Sequence, residues 1–244
     1  MRGVNEVLIG TAGWAIPRTV ADAFPAEGSQ LERYAARFSC AEINSSFHRP
    51  HRPATYARWA AGVPEEFRFA VKLPKTISHE RRLLGCEDLV ARFLEESAGL
   101  GARLGVLLLQ LPPSLVFDAE VAASFFAVVR DASPADVACE PRHASWFTAE
   151  ADAMLAVARV ARVAADPVRA EGAGAPGGWR GLGYHRLHGS PRTYYSSYDD
   201  GRLEGIADAL RGEAGPVWCV FDNTASGAAT GDALALTDLL RSSP

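Results

Sequence analysis

The run LGVLLLQL at Leu104–Leu111 decides the fold class of this chain. It is almost wholly aliphatic, and its one polar residue, Gln110, stands next to its end. A short apolar run of this kind is typical of a strand buried on both faces of a parallel sheet. Seven similar runs recur about every 30 residues, at Val7–Thr11, Cys40–Asn44, Arg68–Leu73, Asp136–Glu140, Ala161–Asp166, Gly183–His188 and Pro216–Asn223.

Amphipathic segments with helical spacing separate these runs. Apolar stripes occur at Leu31, Tyr34, Ala35 and Phe38, at Leu89, Phe93, Leu94 and Leu100, and within Ala119–Arg130, Ala149–Val160, Leu203–Leu210 and Ala228–Leu240. Strands that alternate with helices require crossover connections and give a parallel sheet. Eight such units predict a single (β/α)₈ barrel domain over residues 1–244. Because Arg169–Gly181 is rich in Gly and Pro, we expect the sixth outer helix to be short or absent.

Composition excludes several function classes. The net charge of −4 and the pI of about 5.9 argue against a broad nucleic-acid-binding surface. No apolar stretch approaches the length of a membrane span, and the polar stretch Met1–Glu6 leaves no room for a signal peptide. The four cysteines are widely spaced; three of them lie in or beside apolar runs, so we interpret those three as buried free thiols and expect a soluble cytoplasmic protein. The segment GTAG at Gly10–Gly13 lacks the dinucleotide-binding pattern, and no P-loop occurs.

Polar residues interrupt or end the apolar runs at the same end of nearly every predicted strand. Side chains two residues apart point the same way, so Glu42 pairs with Asn44, Glu140 with Arg142, and Arg186 with His188. Lys72, Gln110, Asp166, Asp222 and Asn223 end other strands. In a barrel these ends converge on one mouth, where active sites occur. Structural roles remain open for several of these residues. Glu140 and Arg142 could form a salt bridge that holds the barrel layers together, and Gln110 could only satisfy backbone groups. Asp166 could cap a turn, and Asn223 could be a turn residue or a helix cap.

Segments that follow the strands supply further candidates. The connections Trp14–Gly28, Pro74–Glu87 and Gly189–Arg202 are long enough to act as lids, and His79 and His143 lie beside the strand ends. The aromatic residues Trp14, Phe47, Trp146, Tyr194, Tyr195 and Tyr198 also follow strands. Together they predict a wall against which a ring-containing ligand stacks, although each alone is more typical of packing.

The chain resembles the YecE-like family, domain of unknown function 72, through ordered blocks that span its length. The blocks are IGTAGW (9–14), EINSSF (42–47), FAVKLPKTISHERRL (69–83), LLQLPPS (108–114), CEPRHASW (139–146), RLHGSPRTYYSSY (186–198) and FDNTASGAA (221–229). The resemblance implies a TIM-type barrel with a shared pocket and implies no activity. Ser46, His48 and Pro141 depart from the residues usual in similar proteins, which puts the shape of the pocket wall in question.

We predict an enzyme with general acid–base chemistry on an anionic, ring-containing substrate, hydrolase- or lyase-like in type. Two carboxylates in one cavity raise the pKa of one of them and create a proton donor. The predicted catalytic residues are Glu42, Glu140 and His188. The predicted substrate-binding residues are Trp14, Asn44, Lys72, His79, Gln110, Arg142, His143, Trp146, Arg186, Tyr198 and Asn223.

The expected partner is a small anion such as phosphate or a phosphorylated metabolite, and no cofactor is predicted. A divalent metal is disfavoured because lysine and arginine compete for the same carboxylates and no compact ligand motif occurs. The alternatives are a nucleic-acid-binding or endonuclease-like barrel, in which aromatic and cationic groups receive a single strand, and a binding protein without turnover.

Overall fold

Parallel strands form the core of the protein, as the computed structural model describes it for residues 6–242. The strands are β1 (Val7–Ala12), β2 (Cys40–Ile43), β3 (Arg68–Lys72), β4 (Leu104–Gln110), β5 (Asp136–Glu140), β6 (Val160–Arg162), β7 (Ala164–Asp166), β8 (Gly177–Gly178), β9 (Gly183–Leu187) and β10 (Val217–Phe221). The helices are α1 (Gln30–Ala35), α2 (Pro53–Ala61), α3 (Glu87–Ser97), α4 (Ala119–Ala132), α5 (Ala149–Val157), α6 (Asp200–Arg211) and α7 (Ala228–Ser242). Residues 1–5, most of the polar N-terminal stretch, lie outside the described range.

The sheet forms a nearly closed barrel, which confirms the predicted fold class. β1 pairs in parallel with both β2 and β10, so the first and last units meet. The predicted sixth strand is divided at Val163: β6 pairs with β5, and β7 pairs with β9. The two pieces are consecutive in the chain, so together they bridge the two ends of the paired sheet.

The region after β7 confirms the prediction that the sixth outer helix is missing. Residues 169–181 form turns and the two-residue strand β8, which pairs antiparallel with β6. The helix α2 was not predicted from the sequence; of its nine residues only Tyr56 is buried, and Trp59 and Ala60 pack against the core while partly exposed. Pro53 starts this helix at a position where the missing N–H costs nothing.

Alternating side chains divide the strands between two apolar layers. One set points outward against the helices, and the other fills the barrel interior. The interior set includes Leu8, Cys40, Ala70, Val106, Leu108, Ala138, Ala161, Val163, Tyr184, Trp218 and Val220. Trp218 stacks on Tyr184 and fills the space over Gly105, where a Cβ atom would lie 2.7 Å from the indole ring. We call this interior apolar layer the apolar floor. The polar residues of the site lie on the strands directly beyond it.

Within the described residues, none of the helices is long and apolar enough to cross a bilayer. All four cysteines are buried and free, which confirms the prediction for the three in or beside strands.

Candidate active site

The next inward-facing positions beyond the apolar floor are polar on six strands. Glu42 follows Cys40 on β2, Lys72 follows Ala70 on β3, and Gln110, Glu140, Arg186 and Asp222 stand at the matching places on or after β4, β5, β9 and β10. Hydrogen bonds join five of these six residues, and Lys72 lies beside them in the same electrostatic cluster. The closing of a parallel sheet therefore brings residues from position 42 to position 222 into one environment, which we call the mouth cluster.

Arg186 is the centre of the mouth cluster and is fully buried. Its Nε and Nη2 atoms donate to the two carboxylate oxygens of Glu42 at 2.9 and 2.6 Å, a bidentate pair. Its Nη1 donates to Glu140, and Nη2 also donates to Asp222 at 3.0 Å. The Tyr184 hydroxyl donates to Glu42 at 3.0 Å. One guanidinium thus holds three carboxylates, and this part of the cluster has little capacity left for a ligand.

Of the two acids predicted to supply a proton donor, Glu140 does not fit that role. Burial alone would raise the pKa of Glu140, but the charges of Arg186 and His188 hold that pKa well below its usual range. Gln110 adds a hydrogen bond at 2.9 Å to the same carboxylate. Because Arg186 and His188 hold its carboxylate, Glu140 stays ionised at neutral pH.

His188 lies between two carboxylates. Its Nδ1 is 3.0 Å from Asp222, and its Nε2 is 2.9 Å from Glu140. Ionised carboxylates only accept hydrogen bonds, so both ring nitrogens carry protons and the side chain is an imidazolium. Burial opposes this charge, but Glu140 and the two hydrogen bonds raise the pKa of His188. The Tyr194 ring covers the imidazole edge-on, with centroids 5.6 Å apart.

Arg142, Asn44 and Lys72 lie at the edge of the mouth cluster, which we call its rim. The rim differs from the centre around Arg186 because polar atoms there have no hydrogen-bond partner among the described residues. Arg142 binds Glu140 through Nη2 at 2.7 Å, but its buried Nε atom makes no hydrogen bond among the described residues. The buried Oδ1 of Asn44 is also without a partner there, while its Nδ2 makes a long contact of 3.4 Å to Asp222. A donor and an acceptor at the rim are therefore left for a ligand.

Lys72 is the third rim group. It is 7% exposed, its Nζ lies 4.3 Å from the centre of the Phe47 ring, and it forms no ion pair within 4 Å in the described part of the chain. Burial and the nearby charge of Arg186 lower the pKa of Lys72 to about 8, although Glu42, Glu140 and Asp222 act in the opposite direction. The hydroxyl of Ser46 donates to the backbone oxygen of Lys72 at 2.7 Å and fixes this end of β3.

His79 lies near the rim on a π-helical turn, Thr76–Glu80. Its ring packs edge-on against Phe47 at 5.1 Å. Partial burial and the charges of Lys72 and Arg142 lower the pKa of His79, which places it within the electrostatic reach of both cations.

The structure places five other predicted binding residues in contacts within the protein. Trp146 is buried and donates to the Leu115 carbonyl at 2.9 Å, and His143 caps the short turn Ala144–Trp146. Trp14 packs against Trp59 and Phe69. These contacts explain how the three side chains are held within the protein, and their role in ligand binding stays a prediction.

Asn223 and Tyr198 complete these five residues. The Nδ2 of Asn223 donates to Asp232 and to the Ser196 carbonyl, because residue 223 has the opposite strand parity from Asp222. The Tyr198 hydroxyl donates to Asp166 at 2.9 Å and accepts from the Gly189 N–H at 2.8 Å. Gly189 has a φ of +89°, and a Cβ there would lie 2.6 Å from the Ser196 carbonyl. Tyr198 thus supports the loop that follows His188 instead of facing a ligand.

Asp222 of the mouth cluster was predicted to end a strand at the mouth but was absent from the predicted catalytic and binding residues, and Tyr184, which donates to Glu42, was not predicted at all. Alternation along the strands carries the signal for both. Asp222 is two residues beyond the interior Val220, and Tyr184 is two residues before Arg186. No group of three or more His, Cys, Asp or Glu side chains among the described residues is arranged to hold a metal ion.

The fold and this polar mouth define a TIM-barrel protein with a charged site at the carboxyl ends of its strands. Residues 8–244 match the model of the family "Protein of unknown function DUF72", so the chain belongs to that family. It is 37% identical over 106 residues to the UPF0759 protein YecE of Escherichia coli K12, a match that covers 43% of this chain and 38% of YecE.

Solved structures support the fold. A DUF72 family protein from Enterococcus faecalis V583 superposes with a TM-score of 0.78 at 21% identity over 98% of this chain and 99% of that one. One from Thermotoga maritima MSB8 gives 0.77 at 21% identity, covering 97% and 99%. A sugar phosphate isomerase/epimerase from Parabacteroides distasonis gives 0.59 at 12% identity, covering 100% and 99%, and shares the barrel fold.

Proposed function

We propose that this protein is an enzyme that binds a small anionic substrate at the barrel mouth and moves a proton on it, with lyase-like chemistry. The proposal depends on one observation: Arg142 and Lys72 at the rim are incompletely paired, whereas Arg186 at the centre is fully paired with carboxylates. Arg142 Nε has no partner, and the Lys72 ammonium has no ion pair among the described residues.

The charge balance of the cluster favours an anion. Arg142, Arg186, Lys72 and the His188 imidazolium face the three carboxylates of Glu42, Glu140 and Asp222, which gives a net charge of +1 when all are ionised. An anion that contacts Arg142 and Lys72 neutralises this excess in a partly buried site, where screening by water is weak. Arginine suits a planar carboxylate or a phosphate because its donors form a fork.

Lys72 is the best candidate for proton transfer. A group is an efficient acid or base when its pKa lies near the working pH, and the pKa of Lys72 is about 8. The Glu140 carboxylate, one of the two acids that the sequence suggested for this role, is held ionised by Arg186 and His188. Glu42 and Glu140 act instead on the positions of Arg186, His188 and Arg142, and His188 supplies positive charge that stabilises a developing oxyanion.

Binding is tested by thermal unfolding with phosphate, acetate or glyoxylate against chloride at equal ionic strength. We expect saturable stabilisation by at least one oxyanion, because a ligand at 100 times its Kd adds about 2.7 kcal/mol to the free energy of unfolding. The variant Arg142→Gln loses this response, whereas Arg241→Gln, on an exposed surface at the opposite end of the barrel, keeps it. Equal responses in the two variants contradict an anion site at the mouth.

Proton transfer is tested by NMR on mixtures of phosphorylated and carboxylated carbonyl compounds in D₂O. We expect the protein to accelerate deuterium uptake at a carbon next to the carbonyl of one class of compound, and Lys72→Met to abolish that effect. A short single-stranded oligonucleotide belongs in the same binding series. If only the oligonucleotide binds, and with a steep dependence on salt, the small-molecule proposal is wrong.

A further inference from the structure

The use of lysine in this chain is unusual. The sequence contains 25 lysine and arginine residues, and only two of them, Lys72 and Lys75, are lysines. The other 23 positions, including the buried Arg186 and the rim residue Arg142, carry arginine. One of the two lysines therefore stands inside the mouth cluster of a chain that otherwise supplies positive charge with arginine.

Lysine and arginine differ in one respect that matters here. A guanidinium stays protonated at any pH that a folded protein tolerates, whereas an ammonium loses its proton when it is buried near other cations. If position 72 required only a positive charge, arginine would serve and would offer more hydrogen-bond donors. A lysine at this position supplies an amine nitrogen with a lone pair.

The surroundings of Lys72 favour a reactive amine. No carboxylate lies within 4 Å of its Nζ among the described residues, although Glu42, Glu140 and Asp222 belong to the same cluster. Those carboxylates are held by Arg186, so they neither pair with the ammonium nor block the amine. The Phe47 ring packs beside Nζ and shields one side of it from water.

We infer that Lys72 is a nucleophile that forms an imine with an aldehyde or ketone carrying a carboxylate or phosphate group. The inference rests on the proposed function and narrows its substrate class to anionic carbonyl compounds. Lys75 provides an internal reference, because it is 48% exposed and paired with Glu80 at 3.5 Å.

The reaction balances without an oxidant or a cofactor. The neutral Nζ amine attacks the carbonyl carbon and forms a C–N bond as the second C–O bond breaks, and one proton passes from the nitrogen to the carbonyl oxygen to give a neutral carbinolamine. That hydroxyl leaves as water with one further proton from solvent, and a protonated imine remains. The positive nitrogen then accepts the electron pair released when a proton or a carbon group departs from the neighbouring carbon. This electron sink is what a lyase-like reaction requires.

Reductive trapping tests the inference. The protein is incubated with glyoxylate and sodium cyanoborohydride, which transfers hydride to the imine carbon and leaves a stable secondary amine. Peptide mass spectrometry then measures labelling at Lys72, at Lys75 and at the N-terminal amine. We expect Lys72 to be labelled about tenfold faster than Lys75 at pH 7, because its neutral fraction is far larger than that of an ordinary lysine with a pKa of about 10.4.

Two further measurements separate this inference from simple reactivity. Labelling of Lys72 rises with pH and levels off above about pH 8. Acetaldehyde, which has no charge, loses most of the preference for Lys72 because the cationic rim attracts only the anion. Lys72→Arg abolishes the fast labelling, and Lys75→Arg leaves it unchanged.

The outcomes distinguish this inference from the proposed function. Equal labelling of the two lysines by glyoxylate overturns the inference that Lys72 forms an imine. The proposed anion site is still supported in that case if oxyanions stabilise the wild type but not Arg142→Gln. If no oxyanion stabilises the protein and Lys72 is labelled equally fast by glyoxylate and acetaldehyde, the anion site is wrong and the selectivity for anionic carbonyls falls with it.

Discussion

The centre and the rim of the mouth cluster use similar side chains in opposite ways. At the centre, Arg186 is fully buried and binds Glu42, Glu140 and Asp222, so its charge is fully compensated. At the rim, among the described residues, the Nε of Arg142 has no hydrogen-bond partner and Lys72 forms no ion pair, although the same carboxylates act on Lys72 electrostatically. The ion-paired centre positions the side chains around it, and the partly unpaired rim is available to bind a ligand. Substitutions in the two regions should therefore change the free energy of unfolding differently.

The largest effect is expected at Arg186. In Arg186→Met three buried carboxylates lose their shared partner, and removal of one member of a buried ion pair typically costs about 3–5 kcal/mol. Arg202→Met is the matched control, because Arg202 is half exposed and its ion pair with Asp166 should contribute no more than about 1 kcal/mol. Urea unfolding measures both variants. Equal losses of stability contradict a special role for the centre.

A smaller effect of opposite sign is expected at Lys72. Its pKa of about 8 lies below the ordinary 10.5, so below pH 8 folding has to hold an ammonium in surroundings that disfavour it. Lys72→Met should therefore raise the free energy of unfolding at pH 7 by about 1–3 kcal/mol, with the gain shrinking between pH 8 and 10.5. Lys75→Met should change it by less than about 0.5 kcal/mol. Destabilisation by Lys72→Met would show that Lys72 is structural.

The smallest effect is expected at His188, where it depends on pH. Because the pKa of His188 is raised in the folded protein, its contribution to stability is complete below the ordinary value of 6.5 and is lost as pH rises through the folded value. His188→Gln should therefore lose more stability at pH 6 than at pH 9. Urea unfolding at several pH values measures this difference, and a pH-independent loss contradicts the imidazolium assignment.

The sequence predicted the barrel because strands buried on both faces and amphipathic helices leave distinct periodic patterns. It did not predict α2, where only Tyr56 is buried, or the division of the sixth strand at Val163. Strand parity predicted that Glu42, Glu140 and Arg186 face the same way, and the same parity identifies Asp222. The pairing of each carboxylate with a cation depends on distances across the barrel, and no sequence pattern predicts those distances. For this reason the sequence could not show that the pKa of Glu140 is lowered and not raised.

Loop residues were harder to predict than strand residues. Trp146, His143 and Trp14 stand next to strand ends in the sequence, but turns after the strands direct their side chains into local packing. No period constrains a loop side chain, so nearness to a strand end does not place it in the mouth.

The most direct test of the ligand-binding rim is the ¹⁵N NMR signal of the Arg142 Nε–H group during titration with phosphate. The signal is assigned by its absence in Arg142→Lys, and the Nε–H of Arg162, already bonded to Asp152 at 2.7 Å, is the internal reference. We predict a saturable shift of the Arg142 signal while that of Arg162 stays in place. An unmoved Arg142 signal at phosphate concentrations that stabilise the protein would contradict the account, because the anion would then bind elsewhere.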